Sequence, residues 1–359
     1  MREPVPFTYT TNGDVMICAD GPEVLVYSGQ DGSPRWKLFT EDVVVGVGQA
    51  RGEIAAVGAA GTVWFFRALD GRLERTLPLE AEATGIAVAD SGAIGVITSE
   101  GVHVIPAGGG PHLVSAPGAV AAAFGPGGTS LGIGTGEGVF RAVDPSSGGA
   151  WGELDLGAPI GGVAWSARGF WVVTSGKRWV LISGDGQTLA GELPALQAAG
   201  GPVAVSLDGL FAAAIDGLNQ VHIAELFSNQ TAGSLTYRRS VGGLAFGPDA
   251  MLGLALDDGD AMRIDLHTQH NIRTEPHQGR GRNAWNVDVK IDGAVLRGAA
   301  ASAQVSGASI AEYTGFKPDE PTPWWKIGAG LGGGCLVLFA GTSLLMFLTT
   351  WALWMRGLL

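Results

Sequence analysis

The chain has 359 residues, and glycine supplies 59 of them, well above the usual share of about 7 %. Apolar residues still make up 46 %, which excludes a disordered chain, and charged residues reach only 16 %. With 22 basic and 34 acidic side chains the net charge is -12, which argues against a dedicated nucleic-acid binder and leaves cationic partners open.

The N-terminal run Met1-Arg2-Glu3-Pro4-Val5-Pro6-Phe7 lacks a basic stretch followed by an apolar one, so no secretory signal is recognised and a cytoplasmic body is expected. Cys18 falls in a predicted strand and Cys335 in a long apolar run, so no internal disulfide is expected and a reducing compartment fits.

From there the chain repeats one unit: an apolar strand, a glycine-centred turn, a second apolar strand and a third that leads to a polar turn. The turn residues Gly13, Gly52, Gly92, Gly128, Gly169, Gly209 and Ala250 recur at spacings of 39, 40, 36, 41, 40 and 41. Strands are predicted at Val15 to Ala19, Val24 to Tyr27, Val63 to Arg67, Ile94 to Thr98, Trp171 to Thr174 and Trp179 to Ile182, all apolar, rich in β-branched residues and bounded by turn formers. A looser eighth match is Val289-Lys290-Ile291-Asp292-Gly293, which copies Val205-Ser206-Leu207-Asp208-Gly209.

A repeat of this length with about four short strands is the pattern of a propeller blade. Ala123-Phe124-Gly125-Pro126-Gly127-Gly128, followed by Gly138-Val139-Phe140-Arg141-Ala142-Val143-Asp144, resembles the WD40 family, and Leu244-Ala245-Phe246-Gly247-Pro248-Asp249 repeats the first part. The Gly-His start and the closing Trp-Asp of that family are absent. The first unit, from Val24 to Lys37, also resembles the quinoprotein repeat, whose blades end in Gly, a few residues and Trp, as Gly32 and Trp36 do here. The resemblance implies an all-β fold, a single β-propeller of seven or eight four-stranded blades. Eight is favoured, because residues 5 to 315 shared among eight units give about 39 each and among seven about 44.

Beyond the repeats, Ile327 to Met355 contains no charged residue, long enough for a helix that crosses a bilayer core of about 30 Å. Trp324 and Trp325 before it and Trp351 and Trp354 at its end are placed as interface belts. The predicted organisation is a propeller over 1–315, a proline-rich spacer over 316–326, a single transmembrane helix over 327–355 and a tail over 356–359. This resembles a tail-anchored, single-pass protein. Gly328, Gly330, Gly332 and Gly334 have the small-xxx-small spacing that lets two anchors dimerise. Arginine outnumbers lysine 17 to 5, which suggests a bacterial inner membrane.

No residue is assigned to catalysis, to a cofactor or to a metal. His267, His270 and His277 lack the three or four convergent ligands a metal needs, and Asp257-Asp258-Gly259-Asp260 reads as a hairpin turn rather than a calcium loop. Surface charge remains. The loops between second and third strands share one face of such a fold and carry Asp20, Glu23, Glu100, Glu137, Asp216, Asp257, Asp258 and Asp260, with Lys177 and Arg178 as the exception, a candidate docking face for a basic protein partner. Turns also attract aspartate for backbone reasons. Arg273, His277, Arg280, Arg282 and Lys290 form a basic loop before the spacer, a candidate contact for anionic headgroups. The function expected is a non-catalytic, membrane-anchored interaction scaffold with no nucleic-acid partner. The alternative is a small-ligand sensor or enzyme with its site at the central channel mouth.

Overall fold

Each repeat folds as an antiparallel meander. The computed structural model describes residues 5–10, 12–175, 178–190, 203–215, 220–226, 230–236, 241–248, 250–256, 261–266, 271–273 and 290–291. The first sheet contains β1 (Phe7–Tyr9), β2 (Val15–Asp20), β3 (Glu23–Ser28) and β4 (Pro34–Phe39), and the second β5 (Val44–Ala50), β6 (Glu53–Gly58), β7 (Thr62–Arg67) and β8 (Leu73–Pro78). The third has β9 (Ala83–Val88), β10 (Ile94–Thr98), β11 (Gly101–Ile105) and β12 (His112–Ser115), and the fourth β13 (Ala119–Phe124), β14 (Leu131–Thr135), β15 (Val139–Val143) and β16 (Ala150–Asp155). The fifth has β17 (Ile160–Ser166), β18 (Gly169–Thr174), β19 (Trp179–Ile182) and β20 (Thr188–Ala190), and the sixth β21 (Val203–Val205), β22 (Phe211–Ile215), β23 (Gln220–Glu225) and β24 (Gln230–Thr236). The seventh has β25 (Val241–Phe246), β26 (Met251–Leu256), β27 (Ala261–Asp265) and β28 (Asn271–Arg273), and β29 (Lys290–Ile291) adds to the sixth sheet.

Second strands such as β10 and β18 are buried at every position, because each sheet is covered by a neighbour on both sides. That explains their continuous apolar runs, where a half-exposed strand would alternate. The fourth strand β8, Leu-Glu-Arg-Thr-Leu-Pro, lies at the outside and is mostly exposed. Apolar clusters fill the wedges between sheets. Ile17, Val24 and Val26 of the first sheet pack on Ile54, Trp64 and Phe66 of the second, and Phe140 of the fourth packs on Phe170 and Ile182 of the fifth. Each such large side chain contributes about 1.5–3 kcal/mol on burial.

Six of the seven ruler residues sit between the first and second strands of their sheets and Gly169 begins β18, all with positive φ, from 58° at Ala250 to 140° at Gly169. Glycine recurs there because a Cβ disfavours that backbone conformation, and Ala250 accepts the strain.

The ring closes on seven sheets, which corrects the favoured count of eight. Tyr9, Met16, Cys18, Leu25 and Tyr27 of the first sheet share a cluster with Ala255 and Ala261 of the seventh. The Val5 amide donates to the Gly242 carbonyl at 2.9 Å, and Arg263 donates through Nη1 to the Gly29 carbonyl. A Cβ on Gly247 would lie 2.4 Å from the Tyr9 ring, so the two sheets meet with no room for another. The supposed eighth unit supplies β29, which pairs antiparallel with β24 at Leu235 and Thr236, at the outer edge of the sixth sheet. Dividing residues 5 to 315 evenly overcounted, since among the described residues the seventh sheet ends with β28.

The one helical segment among the described residues is a 3-10 turn, Pro126–Gly128, and no helix there is long and apolar enough to cross a membrane. The predicted spacer and the predicted anchor, with Trp324, Trp325, Trp351, Trp354, Gly328, Gly330, Gly332 and Gly334, lie outside the described residues.

Candidate functional site

An antiparallel meander sends alternate connections to opposite ends of its sheet. The first-to-second and third-to-fourth turns form one rim of the ring, called the turn rim. The second-to-third turns, with the links from each fourth strand to the next sheet, form the other, called the loop rim.

On the loop rim, Asp20 and Glu23 flank the β2–β3 turn, Glu100 lies in the β10–β11 turn and Glu137 in the β14–β15 turn. The links between sheets add Glu41 and Asp42 before β5, and Glu80 and Glu82 before β9. Glu23 pairs with Lys37 at 2.7 Å, and Asp42 accepts the amides of Val43 and Ala60, each at 2.7 Å. Glu41, Glu80, Glu82, Glu100 and Glu137 are exposed, and among the described residues their carboxylates make no hydrogen bond or ion pair. Phe39 and Val43, 61 % and 51 % exposed, stand beside Glu41 and Asp42. Five inner strands carry a β-bulge at their loop-rim end, passing over Val45, Thr84, Val120, Gly161 and Gly242. Such bulges re-aim side chains, and here Thr84 and Val120 face solvent.

The turn rim uses its carboxylates differently. Asp31 accepts the Ser33 amide at 3.0 Å and the Ser33 hydroxyl at 2.8 Å. Asp144 accepts the Ser146 amide at 2.8 Å and the hydroxyls of Ser146 and Ser147. Asp185 accepts from Ser183 Oγ, and Asp208 from Ser206 Oγ at 2.6 Å and the Leu210 amide at 2.9 Å. These bonds favour the charged form. Hydrogen bonds from Ser28 and then Ser33 lower the Asp31 pKa to about 2, and serine donors lower Asp144 and Asp185 too. Glu53 and Glu74, near this rim, pair with Arg75 and Arg67, and Glu153, farther along β16, pairs with Arg141.

The structure thus gathers Asp20, Glu23, Glu100 and Glu137 on one rim, as the strand order predicts. Asp216, Asp257, Asp258 and Asp260 lie outside the described residues, as do His277, Arg280 and Arg282 of the basic loop. Arg273 ends β28 and Lys290 begins β29. Sequence reading missed Glu41, Glu80 and Glu82. The signal was available, because the link from a fourth strand to the next first strand emerges at the same end as a second-to-third turn.

Groups with shifted pKa values are dispersed, each with a local cause. His103 is lowered by burial, Arg168 is lowered by burial and Arg67 is raised by Glu74. Among the described residues, no three His, Cys, Asp or Glu side chains are grouped to hold a metal ion.

No protein-family model matches the chain, and no curated protein matches it. Among solved structures, the β-propeller domain of Cps50 (Swd1) from Myceliophteria thermophila is similar to it. The TM-score is 0.62 and the identity 12 %, over 72 % of this chain and 95 % of that one. The likeness shows the fold, a β-propeller.

Proposed function

We propose that this protein is a membrane-anchored, non-catalytic scaffold that docks a basic protein partner on the loop rim of its propeller. The observation that supports this most is the set of five exposed glutamates that make no hydrogen bond or ion pair among the described residues. A turn-forming role would tie carboxylates into the backbone, as it does on the other rim, and these glutamates have no such role. They are available to cations, and Phe39 and Val43 offer apolar contact beside them. The charge-free run from Ile327 to Met355 supports a lipid anchor, with the body on the cytosolic side of what its composition suggests is a bacterial inner membrane. Tethering turns a weak encounter into a local one, so modest affinity suffices.

Photo-crosslinking of the full chain in membranes tests the docking. A photoreactive residue at Ser99 or Gly136 on the loop rim is expected to give protein adducts, and one at Ser147 on the turn rim none. Joint replacement Glu41→Gln, Glu82→Gln, Glu100→Gln and Glu137→Gln should weaken binding of the captured partner about 30-fold at low salt, taking about 0.5 kcal/mol for each exposed charge pair. The loss should shrink as salt screens the charges. Equal adducts from both rims, or affinity indifferent to the four substitutions, would overturn the reading.

A further inference from the structure

A groove of about 640 Å3 opens on the turn rim between the second and third sheets, away from the docking rim, and what it binds does not depend on the function proposed above. One wall is charged. Arg67 Nε pairs with Glu74 Oε1 at 2.6 Å, and Arg75 Nη2 pairs with Glu53 Oε2 at 3.3 Å while its guanidinium stacks 3.5 Å above the centre of the Phe65 ring. These two arginines are neutralised where they stand. Arg51, at the inner end of the same wall, is exposed and makes no ion pair or hydrogen bond among the described residues.

Arg51 is also an unexpected residue for its position. It and Gly52 are the central pair of the two-residue hairpin between β5 and β6, where Ala50 opposes Glu53, with φ of 47° and 82°. A turn with both central residues left-handed favours Asn, Asp or Gly first, since other side chains are strained there. The left-handed backbone at Arg51 fixes the direction of its Cα–Cβ bond. Its stem passes over Gly92 of the facing sheet, where a Cβ would come 2.8 Å from Arg51 Cδ, so the opposite wall is cut back to receive it.

The far wall, Pro106 to Gly109, is neutral and presents mostly backbone; around Gly108 there is open space, with no atom within 4 Å of where a Cβ would stand. The groove runs across β6, β7 and β8, a width of about 10–15 Å at strand spacing, which holds about four residues of extended chain. Its lining has three guanidinium groups and two carboxylates, and Asp70 adds a third carboxylate on Arg67 Nη1 at 3.3 Å, so Arg51 is the one guanidinium of the three without a carboxylate partner among the described residues.

We infer that this groove binds a short extended acidic peptide, with a carboxylate of that peptide on the Arg51 guanidinium and its backbone along Pro106 to Gly109. Arg75 and Arg67 stay with their glutamates and shape the wall, and Arg51 supplies the recognition.

The test uses the full-length chain in mild detergent and fluorescence polarisation of a labelled Ala-Glu-Leu-Glu-Ala peptide. The expected result is saturable binding that falls at least about tenfold for the Gln-for-Glu peptide, and as much for Arg51→Asn, as one lost charge-assisted hydrogen bond requires. Asn suits the left-handed turn position, so Arg51→Asn should fold at least as well, and an unchanged melting temperature separates lost binding from lost structure. Arg35→Asn, on the outer strand β4, should bind as the parent does. Equal affinity for the two peptides, or full affinity in Arg51→Asn, would overturn the inference. Displacement of the peptide by free glutamate at an equal concentration of carboxylate would also overturn it, by showing a site for small anions alone.

Discussion

Asp144 on the turn rim receives three hydrogen bonds from Ser146 and Ser147, while Glu137, on the loop rim of the same sheet, receives none among the described residues. The contrast extends around the ring. On the turn rim Asp14, Asp31, Asp70, Asp185 and Asp208 are likewise bonded into their turns, with Asp90 as the exception. On the loop rim Asp42, Asp155 and Glu23 are held, Asp20 also has a partner, and five glutamates are not held among the described residues. The side-chain type follows the role. Aspartate is short enough to accept from the amide two residues on, which locks a tight turn, and glutamate, one methylene longer, suits a group that reaches outward. The bonded aspartates of both rims therefore serve the turns, and the five exposed loop-rim glutamates are surplus to them.

Substitutions should separate the rims sharply. The largest effect on stability is expected at Ser206 in the β21–β22 turn. It is 2 % exposed, its Oγ accepts the Phe211 amide at 2.9 Å, and it donates to Asp208. Ser206→Ala leaves a buried amide without that acceptor and should cost about 1–3 kcal/mol in urea unfolding. Asp144→Ala should lower the melting temperature by a smaller amount, since water can replace part of an exposed turn. Glu100→Gln with Glu137→Gln should leave stability within about 0.5 kcal/mol of the parent, because both carboxylates are exposed and make no hydrogen bond or ion pair among the described residues. A loss as large as that of Ser206→Ala would erase the distinction.

Acid provides an independent measure of the same difference. The folded-state pKa of Asp31 is about 2, below the ordinary 3.8, so the native state holds fewer protons than the unfolded chain in that interval. The stability from this turn is therefore complete above the ordinary value and is lost as pH falls toward about 2. Carboxyl carbon shifts followed by NMR should show Asp31 titrating near 2, and Asp31→Asn should flatten the acid limb of the unfolding curve. Titration of Asp31 at its ordinary value would mean that the Ser28 and Ser33 bonds do not form in solution.

Local physics made much of the architecture legible. The glycine ruler worked because a positive φ is a property of single residues, and all seven marked positions adopt it. The strands from Trp171 to Thr174 and Trp179 to Ile182 could be read because burial on both faces demands continuous apolar runs. Trp36, noted as a repeat-ending tryptophan, docks on the next sheet, its Nε1 donating to the Ala68 carbonyl at 3.0 Å. Asp20, Glu23, Glu100 and Glu137 could be assigned to one rim because strand direction alone decides it.

What sequence alone determined was thus the all-β class, the blade unit, its turns and the rim to which each second-to-third loop belongs, since these depend on backbone preference and alternation over a few residues. Only the tertiary structure decided the number of blades. Closure depends on Tyr9 meeting Gly247 and on Arg263 reaching Gly29, contacts between residues more than two hundred positions apart that no repeat spacing encodes. Only the tertiary structure, too, distinguished carboxylates bonded into turns from those left exposed, and Arg51 from the paired Arg67 and Arg75. A charge in a sequence carries no record of its partner, and pairing is settled when distant strands bring the two groups within bonding distance.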